Sequence, residues 1–171
     1  VLRYWLMISD HTSPGNVALT EFLQQLESHR HDSDTRFDCS SYSFRVWKET
    51  LYLLSPSRNM TDSDFVHVWD GLAPLHLPRG GSLHWNNPPP FPVSVRYRQS
   101  GERIRLPGRD IRHSVKKLLS ENVPPWQRDT LPFVYNEHNE LLAVGDVLIS
   151  ETLSRVTNAT LNWKPPSEST T

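Results

Sequence analysis

Cysteine is nearly absent from this chain: Cys39 is the only one among 171 residues, so no disulfide can form within it. A reducing compartment is compatible with that, and a cytoplasmic location is expected. No apolar run approaches the roughly 18 residues that a membrane span needs, so no membrane partner is expected. The apolar start, Val1 to Ile8, contains Arg3 and lacks a small-residue cleavage site after it, which argues against a signal peptide. Asn59-Met60-Thr61 and Asn158-Ala159-Thr160 therefore read as chance matches to the glycosylation pattern. The eight histidines show neither His-Glu-x-x-His nor Cys/His zinc spacing. His29 and His31, beside Arg30 in a polar stretch, are expected to be solvated. No nucleophile elbow and no dinucleotide glycine fingerprint is present. No catalytic residue and no metal site is nominated. The chain opens on Val1 rather than Met, as a fragment does.

What is there reads as an α+β protein, a small helix-helix-hairpin module followed by a mostly antiparallel β domain carrying one short helix. Leu2, Trp5 and Leu6 share a helical face with Val1. Asn16 is placed as the N-cap of a second helix with Phe22, Leu23 and Leu26 as its apolar stripe. His29 to Thr35 is polar and is expected to be a loop. Tyr42, Phe44 and Val46 alternate, Leu51 to Leu54 is a short apolar run, and the four residues Trp47 to Thr50 between them predict a hairpin. Residues 1–58 form the first expected domain, with Ser55 to Ser63 as linker.

The second expected domain is 64–165, followed by a disordered tail at 166–171. Val66, Val68, Leu75 and Leu77 alternate like strands. Four prolines between Asn86 and Pro92 exclude a central strand there, because proline lacks the amide donor. Val93, Val95 and Tyr97 alternate with Ser94, Arg96 and Arg98, which predicts one apolar and one basic face. Ser114 is placed as the cap of a short helix that buries Val115, Leu118 and Leu119, and Pro124-Pro125 ends it. Phe133 to Tyr135 and Leu141 to Ile149 read as strands around a turn at Asn136 to Glu140.

Charge is distributed unevenly. Between Ser94 and Asp129 stand nine basic residues, Arg96, Arg98, Arg103, Arg105, Arg109, Arg112, Lys116, Lys117 and Arg128, against four acids. That window carries a surplus of five positive charges, so the remainder carries a net −6 within a whole-chain −1. A localised basic segment in a neutral chain points to an anionic partner. Lys116 and Lys117 also fall in the first turn of the predicted helix, where the helix dipole disfavours cations. An anion there would relieve the repulsion, and free backbone amides at the helix start would help to hold a phosphate. The solvated-face reading competes with this one, and so does a local ion pair between Arg128 and Asp129. Trp126, after two prolines, is expected to be a packing anchor more than a base-stacking platform.

Several of these submotifs occur in a fixed order. Gly101-Glu-Arg-Ile-Arg-Leu-Pro-Gly-Arg109, Val115-Lys-Lys-Leu118, Val123-Pro-Pro-Trp-Gln-Arg-Asp129 and Leu131-Pro132 together resemble the C-terminal domain of tRNA(Ile)-lysidine synthetases. The resemblance runs from about Val66 to Trp163. Residues 1–54 resemble that family's substrate-recognition linker domain more weakly, by element order and hairpin pattern. The resemblance implies an ATP-dependent ligase, with ATP and Mg in the parent enzyme. Such an enzyme adenylates C2 of the first-anticodon-position cytidine and lets free lysine displace AMP. It implies tRNA(Ile) with a CAU anticodon as partner, an N-terminal catalytic domain carrying a Ser-Gly-Gly-x-Asp-Ser loop as the other half, and leaves a homodimer open. The nine basic residues become candidate tRNA-binding residues. No cofactor is expected within these 171 residues, because Arg79-Gly80-Gly81-Ser82 is the nearest approach to the ATP loop and lacks the Asp-Ser. The alternative from another class is a non-enzymatic RNA-binding or protein-interaction module reusing the domain, since a related domain occurs in phenylalanyl-tRNA synthetase β subunits.

Overall fold

The computed structural model describes residues 2–9, 11–27, 35–54, 64–156, 158 and 160–166. The expected linker at Ser55 to Ser63 and residues 167–171 of the expected tail lie outside them, as does His29 to Asp34. The described residues fall into two compact units, 2–54 and 64–166. The architecture is α+β, and every strand pairing in the described sheets is antiparallel.

In the first unit, helices α1 (Leu2–Ile8) and α2 (Asn16–Glu27) precede strands β1 (Arg36–Asp38), β2 (Ser43–Trp47) and β3 (Thr50–Leu54), which form a sheet of that order. Leu6, Phe22, Tyr42, Phe44 and Leu53 make the core. Phe44 is its centre, with ring centroids of Phe22 at 5.4 Å and of Trp5 at 5.6 Å. The buried face of α2 is Leu19 and Phe22, with Leu26 half-buried; Leu23, expected inside, is 42% exposed. Leu23 lies about 100° around the helix from Phe22, beyond the arc this small sheet covers. The cap also differs: Gly15 O accepts from Leu19 N, so Asn16 begins the first turn instead of capping it. The hairpin pairs Trp47 with Thr50 across Lys48 and Glu49, both in the left-handed region at φ 48° and 64°, as a two-residue hairpin turn twisted to match its strands requires. Strand β1 has no counterpart in the sequence pattern, because Phe37 is the one apolar residue between Arg36 and Asp38.

The second unit is built on a five-stranded sheet, β12-β11-β10-β7-β4, made of Leu148–Ile149, Leu141–Val144, Phe133–Tyr135, Val93–Arg96 and Val66–Trp69. Strands β13 (Leu161–Lys164), β6 (Ser82–Trp85) and β5 (Leu75–His76) form a second sheet, and β8 (Arg103–Arg105) pairs with β9 (Arg112–Ser114). Three helices accompany them, α3 (Val115–Asn122), α4 (Pro125–Arg128) and α5 (Glu151–Val156), where one was expected. The central strand β10 is buried at all three positions. Val134 joins Trp85, Val95, Leu142 and Leu153 in one core, while Phe133 and Tyr135 join Ile104, Val115 and Leu119 in another. A strand covered on both faces reads as an apolar run rather than an alternation, as Phe133-Val134-Tyr135 does. Val93 to Arg96 alternates as its sequence predicts, with Val93 and Val95 buried and Ser94 and Arg96 half-buried. On the edge strand β4, Val66 and Val68 are 60% and 71% exposed, and register places them opposite Arg96 and Ser94.

Candidate nucleic-acid interface

Register explains how the basic residues come together. Across β8–β9, Ile104 is opposite His113, Arg103 opposite Ser114 and Arg105 opposite Arg112. Side chains alternate between the two faces of a strand. Ile104 is fully buried in the core with Phe133, so the face opposite to it carries Arg103, Arg105 and Arg112, all exposed. Gly108, at φ 69°, lies in the turn that reverses the ribbon, with Arg109 exposed beside it. Ser114 ends β9 and occupies the N-cap position of α3, without a side-chain cap bond. The next residue, Val115, is fully buried and donates its amide to Glu102 O at 3.1 Å. Leu119 is buried and Leu118 half-buried, so the apolar stripe of α3 turns Lys116 and Lys117 outward, where both are exposed.

The cations differ in what holds them. Among the described residues, Arg109, Arg112, Lys116 and Lys117 have no carboxylate within ion-pair distance. Arg103 donates to Arg112 O at 3.1 Å. Arg105 Nε faces Glu151 at 2.8 Å, and Glu151 is shared with Arg155 at 2.7 Å. Arg96 sits over the Tyr135 ring at 3.7 Å and donates to Asn139 Oδ1 at 2.8 Å. Arg128 is committed to the fold: its Nε donates to Val123 O at 2.7 Å and its Nη2 to Ser120 O at 3.3 Å, at the C-terminal end of α3, where carbonyls lack helical partners. Its pKa is lowered by burial and by the neighbouring Arg98, against the pull of Asp129. Arg98 is half-buried.

Arg96, Arg103, Arg105 and Arg112 converge on one open pocket of about 230 Å³, with Tyr135 and Asn139 also lining it. Arg98, Arg109, Lys116, Lys117 and Arg128 do not line it. Burial raises the pKa of the Tyr135 phenol, and the Arg96 cation opposes the rise. The pocket is invisible in the sequence, because Tyr135 and Asn139 are distant from the basic segment and neutral. Arg79 likewise has a role that no local pattern marks. It sits over the Tyr97 ring at 4.1 Å and donates to Asp129 O. The Arg79-Gly80-Gly81 stretch is a turn, with Gly80 N donating to Leu77 O at 2.9 Å. Trp126 is half-buried in α4. Among the described residues no cluster of side chains is fit to hold a metal ion, and no helix is long and apolar enough to cross a membrane.

Residues 93–163, which carry this surface, match the family model described as the TilS substrate C-terminal domain. The chain is 37% identical, over 96% of its length, to the tRNA(Ile)-lysidine synthase of Xanthomonas axonopodis pv. citri (strain 306). It is 39% identical over 72% of its length to the enzyme of that name from Xylella fastidiosa (strain Temecula1) and 27% identical over 88% to that from Serratia proteamaculans (strain 568). The chain spans 39%, 30% and 36% of these relatives, in that order.

Proposed function

Since the chain belongs to the tRNA(Ile)-lysidine synthase family through its TilS substrate C-terminal domain, we propose that it is the tRNA-binding portion of such a ligase. In this reading the β8–β9 ribbon and the start of α3 hold tRNA phosphates outside the anticodon. Residues 1–58 act as the substrate-recognition linker and 64–165 as the tRNA-binding domain. The substrate is tRNA(Ile) with a CAU anticodon, whose first-position cytidine becomes lysidine. ATP and Mg belong to the catalytic part of the parent enzyme, a cytoplasmic protein.

One observation carries the reading. Arg109, Arg112, Lys116 and Lys117 follow one another along a ribbon and into a helix start, exposed and without a carboxylate partner among the described residues. Four unneutralised cations on one surface repel one another. Phosphates supply the missing counter-charge, with release of bound counterions. The remaining candidates divide by role. Arg103, Arg105 and Arg96 are placed to join the RNA, whereas Arg128 acts on it only through the helix end it secures.

The test is the fourfold alanine variant of Arg109, Arg112, Lys116 and Lys117. For every phosphate that the variant no longer neutralises, the dependence of log affinity on log salt flattens by somewhat under about one unit. The weakening is similar for different tRNAs, because phosphate contacts position RNA without reading bases. The melting temperature does not fall. A variant that melts lower yet binds tRNA with unchanged affinity and salt slope would falsify the phosphate role.

A further inference from the structure

The pocket beneath the ribbon is more than another stretch of basic surface. Four arginines line it, against two glutamates, Glu102 and Glu140. Both glutamates are engaged locally. Glu102 accepts from Gln99 N, and Glu140 accepts from Thr152 Oγ1 at 2.9 Å and Asn136 Nδ2 at 3.3 Å. Glu151 pairs with Arg105 but is shared with Arg155, so with both of these outer partners counted the site keeps a surplus of about two positive charges. An internal phosphodiester carries one negative charge; a phosphate monoester carries about −1.5 to −2 near neutral pH. The surplus matches the monoester.

Shape agrees with charge. A cavity of about 230 Å³ falls below the range of roughly 300–1,000 Å³ typical of drug-sized ligand sites. A diester within a stem is flanked by sugars on both sides and meets a protein best across an open ribbon, whereas a terminal phosphate protrudes. The pocket is also preorganised. Arg96 is fixed on one side by the Tyr135 ring and on the other by Asn139, which sits at φ 60° in the turn between β10 and β11. The Tyr135 hydroxyl is buried, with the Arg96 guanidinium interacting with it. Each guanidinium has five N–H donors in a planar fork, and the contacts that hold Arg96 and Arg103 leave donors of both for a ligand.

We propose that this pocket binds a phosphate monoester, the terminal phosphate of the RNA chain that the ribbon holds. The inference rests on the tRNA-binding reading and is tested separately from it. The affinity of the chain is measured for isoleucine tRNA bearing a 5′ phosphate and for the same tRNA bearing a 5′ hydroxyl. The phosphorylated form should bind about tenfold tighter, as a charge-assisted multidentate contact allows. In Arg112→Ala and in Arg103→Ala the ratio should fall towards one. In Lys117→Ala, outside the pocket, both forms should weaken together and the ratio should persist. Free 5′-AMP, which offers the same chemistry without the chain, should erase the ratio only at concentrations about a hundredfold above those at which tRNA saturates. Equal binding of the two tRNAs, or a ratio that survives both arginine substitutions, overturns the pocket assignment while the phosphate surface stands. AMP saturating as tightly as tRNA overturns the assignment to a chain end. Failure of both tRNAs to bind overturns both readings.

Discussion

At the scale of single residues, similar cations have opposite roles. Arg128 donates to Val123 O and Ser120 O at the end of α3. Arg128→Ala leaves those carbonyls without these partners, and charged hydrogen bonds of this kind are worth about 1.5–3 kcal/mol. Chemical denaturation of Arg128→Ala should show a loss of that order, where the fourfold ribbon variant shows none. Tyr135 gives a second test. Its folded-state pKa lies above the ordinary tyrosine value because of burial, so the folded protein favours the protonated phenol. The stabilisation is complete below the unfolded value of about 10 and is lost as pH rises through it towards the folded value. Urea melts between pH 8 and 11 should show stability falling above about pH 10, less steeply in Tyr135→Phe. Tyr42 in the first unit is raised too, by burial first and then by Cys39, so the two units share this alkaline sensitivity.

At the scale of elements, the connection between β5 and β6 is more constrained than the ribbon turn. Gly81 sits at φ 78°, and a Cβ there would meet the Lys164 carbonyl oxygen at 2.5 Å and the Trp163 ring closer still. Gly108, at φ 69°, has open space around it. Gly108→Ala should cost about 1–2 kcal/mol, the left-handed penalty alone. Gly81→Ala adds overpacking against β13 and should cost about 2–5 kcal/mol in total. Paired melts of the two variants decide this, and similar losses would show that β13 yields easily. The elements most legible in the sequence are those whose pattern is their own. The alternation of Val93, Val95 and Tyr97, the hairpin around Trp47 to Thr50 and the apolar side of α3 need no partner to be seen. Strands β5, β6, β8, β9 and β13 and helices α4 and α5 are two to six residues long, too short for a period to emerge, and the strands exist because neighbours complete their hydrogen bonds. Leu23 departs from expectation because a helix periodicity gives the direction of the buried face but not its width.

At the scale of the whole molecule, charge separation governs partners. The surplus of five positive charges between Ser94 and Asp129 sits in a chain of net charge −1, so attraction to RNA is local and depends on salt. Binding to the folded state alone stabilises it by mass action, about 2.7 kcal/mol at a ligand concentration 100 times the dissociation constant. Saturating tRNA should raise the melting temperature at low salt, and the rise should vanish where salt abolishes binding. A rise that persists at high salt would mean that the interaction is not dominated by phosphates.

The sequence by itself determined the α+β class, the helix-helix-hairpin order, the exclusion of a strand at the proline block and the basic segment, because each is written in contiguous residues. Tertiary structure alone decided what each cation does. Arg96 meets Asn139 43 residues away, and Arg79 meets Asp129 50 residues away. Arg128 binds main-chain carbonyls, which every residue possesses and no sequence marks. The pocket arises where the pairing of β7 with β10 places Arg96 on the same face as Tyr135 and the pairing of β8 with β9 turns Arg103, Arg105 and Arg112 away from the core. Charge can be read from residue types, but whether it is spent on the fold or left for a ligand depends on which distant groups the register brings within a few ångströms.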